Sequence, residues 1–518
     1  MKVVVHSMPF HSIMFDLFEI DADVEDQDTP SFFHDLNLDQ IFQSVTAGRD
    51  EYNLKPFFSM PLNDVDAIAY RHEIMRDLEG EALRGRVESF ARNMKAMRRH
   101  LAQADELRYE YQKASWFLDA VEIYCNAVSY LADELSHLDE KSRGFRTFRE
   151  YLKTYVNSDG FRSLLAETKK LKEELSAIRY CVHIQDNRIT VGKYEAELDC
   201  GAEVGKTFRK FQQGSVKDYR VAFDEPPDMN HVEAGVLDLV ARLYPGIFLE
   251  LRDYYDRHRD YPDATIRRFD REVQFYLAYL QFIENLKSSG LNFCYPHVTD
   301  RSKEVHAYET FDLALANKLV REHSKVVCND FSLNSPERIF VVSGANQGGK
   351  TTFARTFGQL HYLARLGLPV PGREAQLFLC DRLFTHFERE EHIENLRGKL
   401  QDELVRMHDI LQQATSNSIV IVNEGFGSTT LNDALFLGRE VLPQIIKRDV
   451  LSVYVTFIDE LSTLSRTTVS MVSTTVPENP TLRTYKIVRR PADGRAYAIA
   501  IAEKYALTYE SLKRRIVR

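Results

Sequence analysis

The chain has 518 residues, of which 44% are hydrophobic and 28% are charged, and its formal net charge is −10. This composition is typical of a globular protein, and the length predicts about two to four domains. The acidic balance argues against general coating of nucleic acid. It does not exclude a local basic groove, because phosphate contacts depend on local charge. No apolar run approaches the roughly 18 to 20 residues of a membrane span, so we expect a cytoplasmic protein that does not enter a membrane.

The cysteines and histidines do not form a disulfide or metal pattern. The 6 cysteines lie far apart without a C-x-x-C pair, and the 16 histidines lack ligand spacing of the H-E-x-x-H kind. We therefore predict reduced thiols and no catalytic metal other than Mg²⁺. The cysteines are Cys125, Cys181, Cys200, Cys294, Cys328 and Cys380.

An all-α helical core and lever bundle is predicted for residues 33–290, after an N-terminal segment at residues 1–32. Apolar residues recur at alternating spacings that place one apolar stripe on each helix and charges on the other faces. Such helices pack along their stripes into a bundle. The stripes are Leu83, Val87, Phe90, Met94, Met97 and Leu101; Phe117, Val121, Tyr124, Val128, Leu131 and Leu135; and Leu164, Thr168, Leu171, Leu175 and Ile178.

A small β-hairpin is predicted to interrupt these helices. Residues 180–185 and 188–194 are rich in β-formers and are joined at Asp186-Asn187, a dipeptide suited to a turn. Two more long helices are predicted after the hairpin, at residues 232–257 and 264–288.

The last part of the chain, residues 291–518, alternates between strand-like and helix-compatible runs. Strand-like runs lie at residues 339–342, 419–422 and 451–457, and each precedes a helical segment. This alternation predicts a mostly parallel sheet with helices on its faces. The predicted fold class is therefore multidomain, with an α/β domain after the helical bundle.

A glycine-rich loop follows the first of these strands. Residues 344–351 read G-A-N-Q-G-G-K-T, which fits the phosphate-binding pattern G-x-x-x-x-G-K-[ST] between a strand and a helix. Glycines permit a tight turn whose N–H groups point at phosphate oxygens, Lys350 is suited to the β- and γ-phosphates, and Thr351 is suited to Mg²⁺. The sequence thus predicts a P-loop NTPase domain that binds ATP. Its predicted nucleotide-binding residues are Gly344, Ala345, Asn346, Gln347, Gly348, Gly349, Lys350, Thr351 and Thr352.

The second half of this site is expected at the end of another apolar strand. Residues 418–422 are followed by Asn423, where a magnesium-linked Asp is expected, and then by Glu424. Glu424 is placed to polarise the water that attacks the γ-phosphate. We therefore predict Thr351 and Asn423 as metal ligands and Glu424 with Lys350 as catalytic groups.

These residues resemble the MutS family of DNA mismatch repair proteins. Residues 343–352, SGANQGGKTT, are similar to the family's phosphate loop, TGPNMGGKS/T-T, in which Asn346 and the paired glycines are more distinctive than a generic P-loop. The resemblance covers about residues 326–515 and extends more weakly to residues 57–78. Further similar segments are residues 327–333, 367–372, 381–385, 424–429, 483–487 and 495–500.

The resemblance implies an ATPase domain of the ABC type in a homodimer with composite ATP sites. Each phosphate loop would face a signature segment of the other subunit, so that ATP and Mg²⁺ binding is coupled to clamp movement on DNA. The family's signature pattern, S-x-F-x-x-E, maps onto residues 398–403. The candidates for this contact in trans are Gly398, Lys399 and Glu403.

Three residues depart from the family's pattern: Asn423 replaces an Asp, Gly398 a Ser, and Phe457 a His. Mg²⁺ prefers carboxylate oxygen, and a phenyl ring cannot hydrogen-bond a γ-phosphate. We therefore expect a slow ATPase in which ATP acts mainly as a conformational ligand on a DNA clamp. The competing interpretation is a nucleotide-gated interaction module that binds ATP and a protein partner without acting on DNA.

We do not expect this chain to read mismatches. The helical core begins at about residue 33, which leaves no room for the family's N-terminal mismatch-recognition domain, and no C-terminal nuclease module is apparent. Phe248-Leu249-Glu250 matches the letters of the family's Phe-x-Glu wedge, but it lies in a predicted core helix. Any DNA binding is therefore predicted to select DNA structure. Basic clusters at 84–86, 95–99 and 206–210 are candidates for DNA contact, although solvated surface is favoured for each.

Overall fold

The computed structural model describes residues 10–15, 30–186, 188–195, 229–388, 398–476 and 479–492, together with Tyr509 and Lys513. The chain divides into two compact units. The helical unit comprises residues 1–10, 80–140 and 145–270, and the α/β unit comprises residues 11–79, 141–144 and 271–518. Residues 33–79 and 271–290 thus group with the α/β unit, whereas the sequence assigned them to the helical core. The consecutive segments 1–32, 33–290 and 291–518 stay a prediction.

The α/β unit begins with four helices from the N-terminal part of the chain. They are α1 (Phe32–Asp35), α2 (Leu38–Thr46), α3 (Lys55–Ser59) and α4 (Val65–Glu79). Helix α3 carries Pro56 in its first turn, where a proline removes no intrahelical hydrogen bond. Apolar side chains of α2 and α3, among them Phe42 and Phe58, are buried.

Seven helices follow. They are α5 (Glu81–Glu106), α6 (Glu110–Ser136), α7 (Arg143–Val156), α8 (Asp159–Ala177), α9 (His231–Leu243), α10 (Pro245–Arg257) and α11 (Ala264–Lys287). Five lie wholly in the helical unit, whereas α7 has its first two residues and α11 has residues 271–287 in the α/β unit. The predicted stripes on α5, α6 and α8 are buried, except that Leu101, Leu175 and Ile178 are half-buried. These exceptions lie at the C-terminal ends of the stripes of α5 and α8, whereas the α6 stripe is buried up to its last residue, Leu135.

The single long helix predicted for residues 232–257 is wrong, because the chain forms α9 and α10 with a break at Tyr244. Pro245 follows the break. A proline is tolerated in the first turn of a helix, but it disrupts a helix interior. Helix α9 begins with a capping box between Asn230 and Glu233, which satisfies its first N–H groups. Phe248 lies in α10 and is buried, as expected for a core helix.

The predicted hairpin is confirmed. Strand β1 (Tyr180–Gln185) pairs in antiparallel fashion with β2 (Arg188–Lys193), and Ile184 lies opposite Ile189. Of the two turn residues, Asp186 has a left-handed φ of 54°, and Asn187 lies outside the described residues.

A six-stranded sheet carries the candidate site in the α/β unit. Its strand order is β10-β11-β12-β7-β13-β14, and all neighbouring strands are parallel except β13 and β14. The strands predicted at 339–342, 419–422 and 451–457 are confirmed as β7, β11 and β12. The bounds are β7 (Ile339–Gly344), β10 (Leu383–His386), β11 (Ile419–Asn423), β12 (Leu451–Val455), β13 (Thr468–Val476) and β14 (Asn479–Arg489).

Two smaller sheets and four helices complete the described part of this unit. One sheet has the order β4-β9-β5-β6, and the other pairs β3 with β8. The strands are β3 (Phe293–Cys294), β4 (His297–Thr299), β5 (Val305–Thr310), β6 (Asn329–Leu333), β8 (Val370–Pro371) and β9 (Glu374–Phe378). The helices are α12 (Leu313–Arg321), α13 (Lys350–Arg365), α14 (Lys399–Gln413) and α15 (Leu431–Lys447).

Helix α13, which follows the glycine-rich loop, is enclosed on all sides. Every residue from Thr356 to Arg365 is buried, so this helix needs partners beyond the sheet. The N-terminal helices supply them: Gln359 Nε2 donates to Leu36 O at 2.8 Å, and Tyr362 Oη donates to Phe58 O at 2.8 Å. These bonds explain why residues 33–79 group with the α/β unit.

In the described part of the chain, every helix is too short or too polar to cross a bilayer. The described cysteines are free thiols, and Cys200 lies outside the described residues.

Candidate functional site

The glycine-rich loop lies at the carboxyl edge of the six-stranded sheet. Strand β7 is flanked by β12 and β13, both parallel to it, so the three strands present their carboxyl ends at one edge. The loop leaves β7 at Gly344 with a φ of 103° and enters α13 after Gly349 with a φ of 94°. Both values lie in the left-handed region, which favours glycine.

Gly348 is required for a different reason, which is space. A Cβ at this position would lie 2.0 Å from Ser473 Oγ and 2.9 Å from Ala345 O. Ser473 is fully buried in β13, so it cannot move aside freely. The loop therefore packs its backbone directly against the neighbouring strand. The loop leads into α13, and the N–H groups in the first turn of this helix have no acceptors within the helix itself.

Lys350 directs its ammonium back into this loop. Nζ donates to Gly344 O at 3.0 Å, to Ala345 O at 3.3 Å and to Asn346 Oδ1 at 3.1 Å. The side chain is only 4% exposed, and this burial lowers its pKa, an effect that the negative charge of Glu424 opposes. All three acceptors are neutral oxygens, so the positive charge has no anionic partner among its hydrogen bonds.

Thr351 and Asn423 meet at the expected metal position. Thr351 Oγ1 donates to Asn423 Oδ1 at 2.9 Å, across the edge between α13 and β11. Glu424 follows directly, with a left-handed φ of 53°, and its N–H donates to Val455 O at 3.0 Å. The Thr351 and Asn423 oxygens and the adjacent Glu424 carboxylate are the kind of ligand that a hard cation takes, since Mg²⁺ binds oxygen atoms.

The proposed signature residues lie at the start of α14. Gly398 is exposed and precedes the helix, and Lys399 is ion-paired with Glu388. Glu403 is buried and accepts a hydrogen bond from Ser428 Oγ at 2.9 Å. Burial raises the pKa of Glu403, and the Ser428 bond opposes that rise. Within the chain, Lys399 and Glu403 therefore already have polar partners.

Phe457, which stands where the family has a His, is 47% exposed. It follows Thr456, whose N–H donates to Val342 O at 3.0 Å and so joins the end of β12 to β7. The position thus lies near the loop-bearing edge, but the ring offers no hydrogen-bonding group there.

Sequence reasoning assigned no site role to Arg483 or Ser473. Arg483 lies in β14, and its Nε donates to Asn346 O at 3.1 Å, so a second cation contacts the loop. Ser473 bounds the space at Gly348. The sequence contained a signal for Arg483, because residues 483–487 resembled a family segment, but the pairing of β14 beside β13 was needed to place it near the loop.

In chain order, the protein has a helix-rich region followed by a mixed α/β domain, and this domain carries a glycine-rich loop at the edge of its sheet. Residues 340–514 match the family described as MutS domain V. In this part the chain is therefore similar to MutS proteins.

Individual relatives agree with this match. An endonuclease MutS2 of Thermus thermophilus is 30% identical over 190 residues, which are 36% of this chain and 25% of that protein. A DNA mismatch repair protein MutS of Clostridium kluyveri is 25% identical over 298 residues, or 56% of this chain and 33% of that protein. A MutS2 of Gemmatimonas aurantiaca is 28% identical over 202 residues, or 38% and 24%. The chain thus matches a quarter to a third of the length of these relatives.

Proposed function

We propose that this protein is a slow, Mg²⁺-dependent ATPase of the P-loop, ABC type whose nucleotide state controls DNA binding in repair or recombination. The observation that carries the proposal is the buried Lys350 ammonium, which is enclosed by neutral loop oxygens. A positive charge placed in this way has no anionic hydrogen-bond partner, and a triphosphate would supply one. Residues 344–352 would hold the phosphates.

The residues around the loop fit the rest of this role. Thr351 and Asn423 would hold Mg²⁺, which when bound supplies positive charge to the phosphate oxygens. Glu424 would orient a water molecule and accept its proton. Asn423 provides oxygen without a charge, which supports slow turnover, and Arg483 adds a cation beside the loop.

The DNA part of the proposal comes from the relatives, which are named as mismatch repair proteins and endonucleases. Two of the predicted basic clusters are weaker candidates than the sequence suggested, because Arg86 is ion-paired with Glu134 and Arg98 with Asp270. The third cluster, at 206–210, lies outside the described residues. We therefore propose DNA binding that selects DNA structure, without assigning it to these arginines.

A homodimer is also proposed. Three large apolar side chains on the α/β unit are well exposed: Leu431 at 59%, Phe436 at 63% and Phe457 at 47%. Exposed aromatic and aliphatic groups of this kind favour protein association. The variant Phe436→Asp is expected to shift the dimer towards monomer in analytical ultracentrifugation. Tyr130→Asp, at a position 47% exposed in the helical unit, serves as the matched control.

The central test is ATP binding by calorimetry with Mg²⁺ present. Lys350→Ala is expected to weaken binding by about 10- to 100-fold, because hydrogen bonds to charged groups contribute roughly 1.5–3 kcal/mol. Lys318→Ala, which removes an exposed lysine from α12, is expected to bind like the native chain. Undiminished affinity in Lys350→Ala, or no ATP binding by the native chain, would sink the proposal.

The DNA role is tested by fluorescence anisotropy with duplex, mismatched and branched DNA, with and without ATP, at several salt concentrations. Affinity that falls steeply with salt and changes with ATP is the expected result. Indifference to every DNA form would favour the competing interaction module, for which the exposed side chains of α15 are the supporting observation.

A further inference from the structure

The turn that follows β11 has an unusual backbone. The N–H of Gly427 donates to Glu424 O at 3.2 Å and closes a tight turn over residues 424–427. Glu424 has a φ of 53° and Phe426 a φ of 63°, so two non-glycine residues adopt the left-handed conformation. The third position of a turn takes this conformation most readily with Gly or Asn, and an aromatic residue there is strained. Such a conformation persists only where the surrounding structure imposes it.

The surroundings of Phe426 meet that condition. Its side chain is fully buried in a cluster with apolar side chains of β11, β12, α14 and α15. Its ring centroid lies 6.0 Å from that of His386. A Cβ on Gly425, the residue before it, would lie 2.8 Å from Val422 Cγ1, so the turn packs directly onto β11. Burial of the ring therefore offsets the strain and fixes the turn against the core.

Polar contacts hold the turn at both of its ends. At the start, the N–H of Glu424 donates to Val455 O at 3.0 Å. At the end, Ser428 Oγ donates to Glu403 Oε2 at 2.9 Å, which ties the turn to α14. Because the allowed rotamers of a side chain depend on its backbone conformation, the position of the Glu424 carboxylate depends on these contacts and on the burial of Phe426.

We propose that Phe426 and Ser428 are positioning residues for Glu424, an inference that rests on the proposed function. In that function Glu424 orients a water molecule and accepts its proton, a step that is sensitive to displacements of about 1 Å. The Phe426 ring is buried in the core and cannot contact the nucleotide or the water, so it acts only through the backbone of the turn. Its loss should therefore affect ATP hydrolysis and leave ATP affinity unchanged.

The main test measures single-turnover ATP hydrolysis and, by calorimetry, ATP affinity, both with Mg²⁺ present. Phe426→Ala removes the buried ring. It is expected to lower the rate of hydrolysis by roughly 10- to 100-fold, as for a misplacement of about 1 Å, and to leave ATP affinity within about twofold of native. Phe426→Leu, which keeps a large apolar side chain, is expected to retain most of the native rate.

Leu442→Ala is the matched control, because Leu442 is fully buried in the same cluster but lies in α15, outside the turn. It removes core packing of a similar kind, and at a temperature where circular dichroism shows it to be folded it is expected to hydrolyse ATP at the native rate. Equal losses of rate in Leu442→Ala and Phe426→Ala would overturn the positioning role, since they would show a general effect of core packing.

A double-mutant cycle shows whether Phe426 acts through Glu424. In the Glu424→Gln background, Phe426→Ala is expected to change the residual rate by less than about twofold, because the base that it positions has already been removed. A further loss as large as that in the native background would show that Phe426 acts by another route and would overturn the proposal.

Ser428→Ala tests the second support without disturbing the core. Loss of the bond to Glu403 is expected to lower the rate by roughly 3- to 10-fold, as for one hydrogen bond, while Ser428→Thr keeps the hydroxyl and the native rate. Ser416→Ala, in the exposed turn before β11, is the control. Because this variant decides the question even if Phe426→Ala does not fold, a native rate in Ser428→Ala would overturn the proposal and leave the proposed ATPase intact. Absence of ATP hydrolysis by the native chain would instead overturn the proposed function itself.

Discussion

The glycine-rich loop, residues 344–350, and the proposed signature segment, residues 398–403, are both short polar stretches at the start of a helix, yet their charged groups have different partners. The Lys350 ammonium is buried and bonded only to neutral oxygens. In the signature segment, Glu403 accepts from Ser428, and Lys399 pairs with Glu388. The loop thus lacks an anion, whereas the signature segment has its partners within the chain.

This difference indicates which half of the proposed site a ligand would stabilise. A buried cation without an anionic hydrogen-bond partner is costly, and a bound phosphate would lower that cost. A buried carboxyl that already accepts a hydrogen bond gains less from an external group. We therefore expect changes in the loop to act on nucleotide binding and changes in the signature segment to act first on the stability of the chain.

The largest expected effect tests whether the signature segment is held internally. His386 Nε2 lies 3.1 Å from Glu403 O, and burial lowers the pKa of His386 to about 4 from 6.5, with the charge of Arg406 acting in the same direction. The unfolded chain therefore takes up this proton first as the pH falls. The stabilising contribution is present above pH 6.5 and is lost towards pH 4.

Replacing His386 with Gln keeps a donor for the Glu403 carbonyl and removes the titration. On acidification from pH 7.5 to pH 4, His386→Gln is expected to lose about 3 kcal/mol less stability than the native chain in urea unfolding. The other buried histidines, His72 and His361, are present in both proteins and cancel. Equal acid losses in the two proteins would contradict the internal role of His386.

The second prediction concerns space in the loop. Gly348→Ala places a methyl group against Ser473 Oγ and is expected to reduce ATP affinity by about 30-fold, a typical overpacking cost of about 2 kcal/mol. The double variant with Ser473→Gly should recover most of the loss. Gly235→Ala, at a helical position with open space, is the control. If the double variant binds no better than Gly348→Ala, the contact with Ser473 is not the cause.

The third prediction concerns the metal edge. Asn423→Asp keeps the acceptor for Thr351 Oγ1 and adds a charge that Mg²⁺ prefers, so we expect the ATPase rate to rise about fivefold, which corresponds to about 1 kcal/mol. Asn417→Asp adds the same charge in the exposed turn before β11 and should leave the rate unchanged. An unaltered rate in Asn423→Asp would show that the amide oxygen suffices.

The smallest effect is expected at Glu403. Burial raises its pKa, so its contribution to stability is fully present below the ordinary pKa of 4.5 and is lost as the pH rises through the raised value. Glu403→Gln resembles the protonated acid and can still accept from Ser428, so its stability at pH 7 should lie within about 1 kcal/mol of native or slightly above it. Glu440→Gln on the exposed face of α15 is the control. A large loss of ATPase rate with native stability would instead support a contact in trans and break the comparison.

Several elements were predictable because their signals are local. The strands β7, β11 and β12 are continuous apolar runs, as expected for parallel strands covered on both faces, and the loop pattern occupies contiguous residues. The break at Tyr244 was missed although Pro245 was visible, because the apolar spacing continued across it. The grouping of residues 33–79 with α13 was missed since it depends on hydrogen bonds to carbonyls, such as Gln359 to Leu36, that no periodicity encodes.

By itself, the sequence determined the glycine-rich loop and the order of strands and helices around it, because both depend on neighbouring residues and on backbone conformation. The roles predicted for Lys350, Thr351, Asn423 and Glu424 come from the same local patterns. Only the tertiary structure decided what surrounds them. Arg483 meets Asn346 across 137 positions of chain, and Ser428 meets Glu403 across 25. Such contacts follow from strand order and packing in space, so side-chain partners of this kind cannot be found from local spacing.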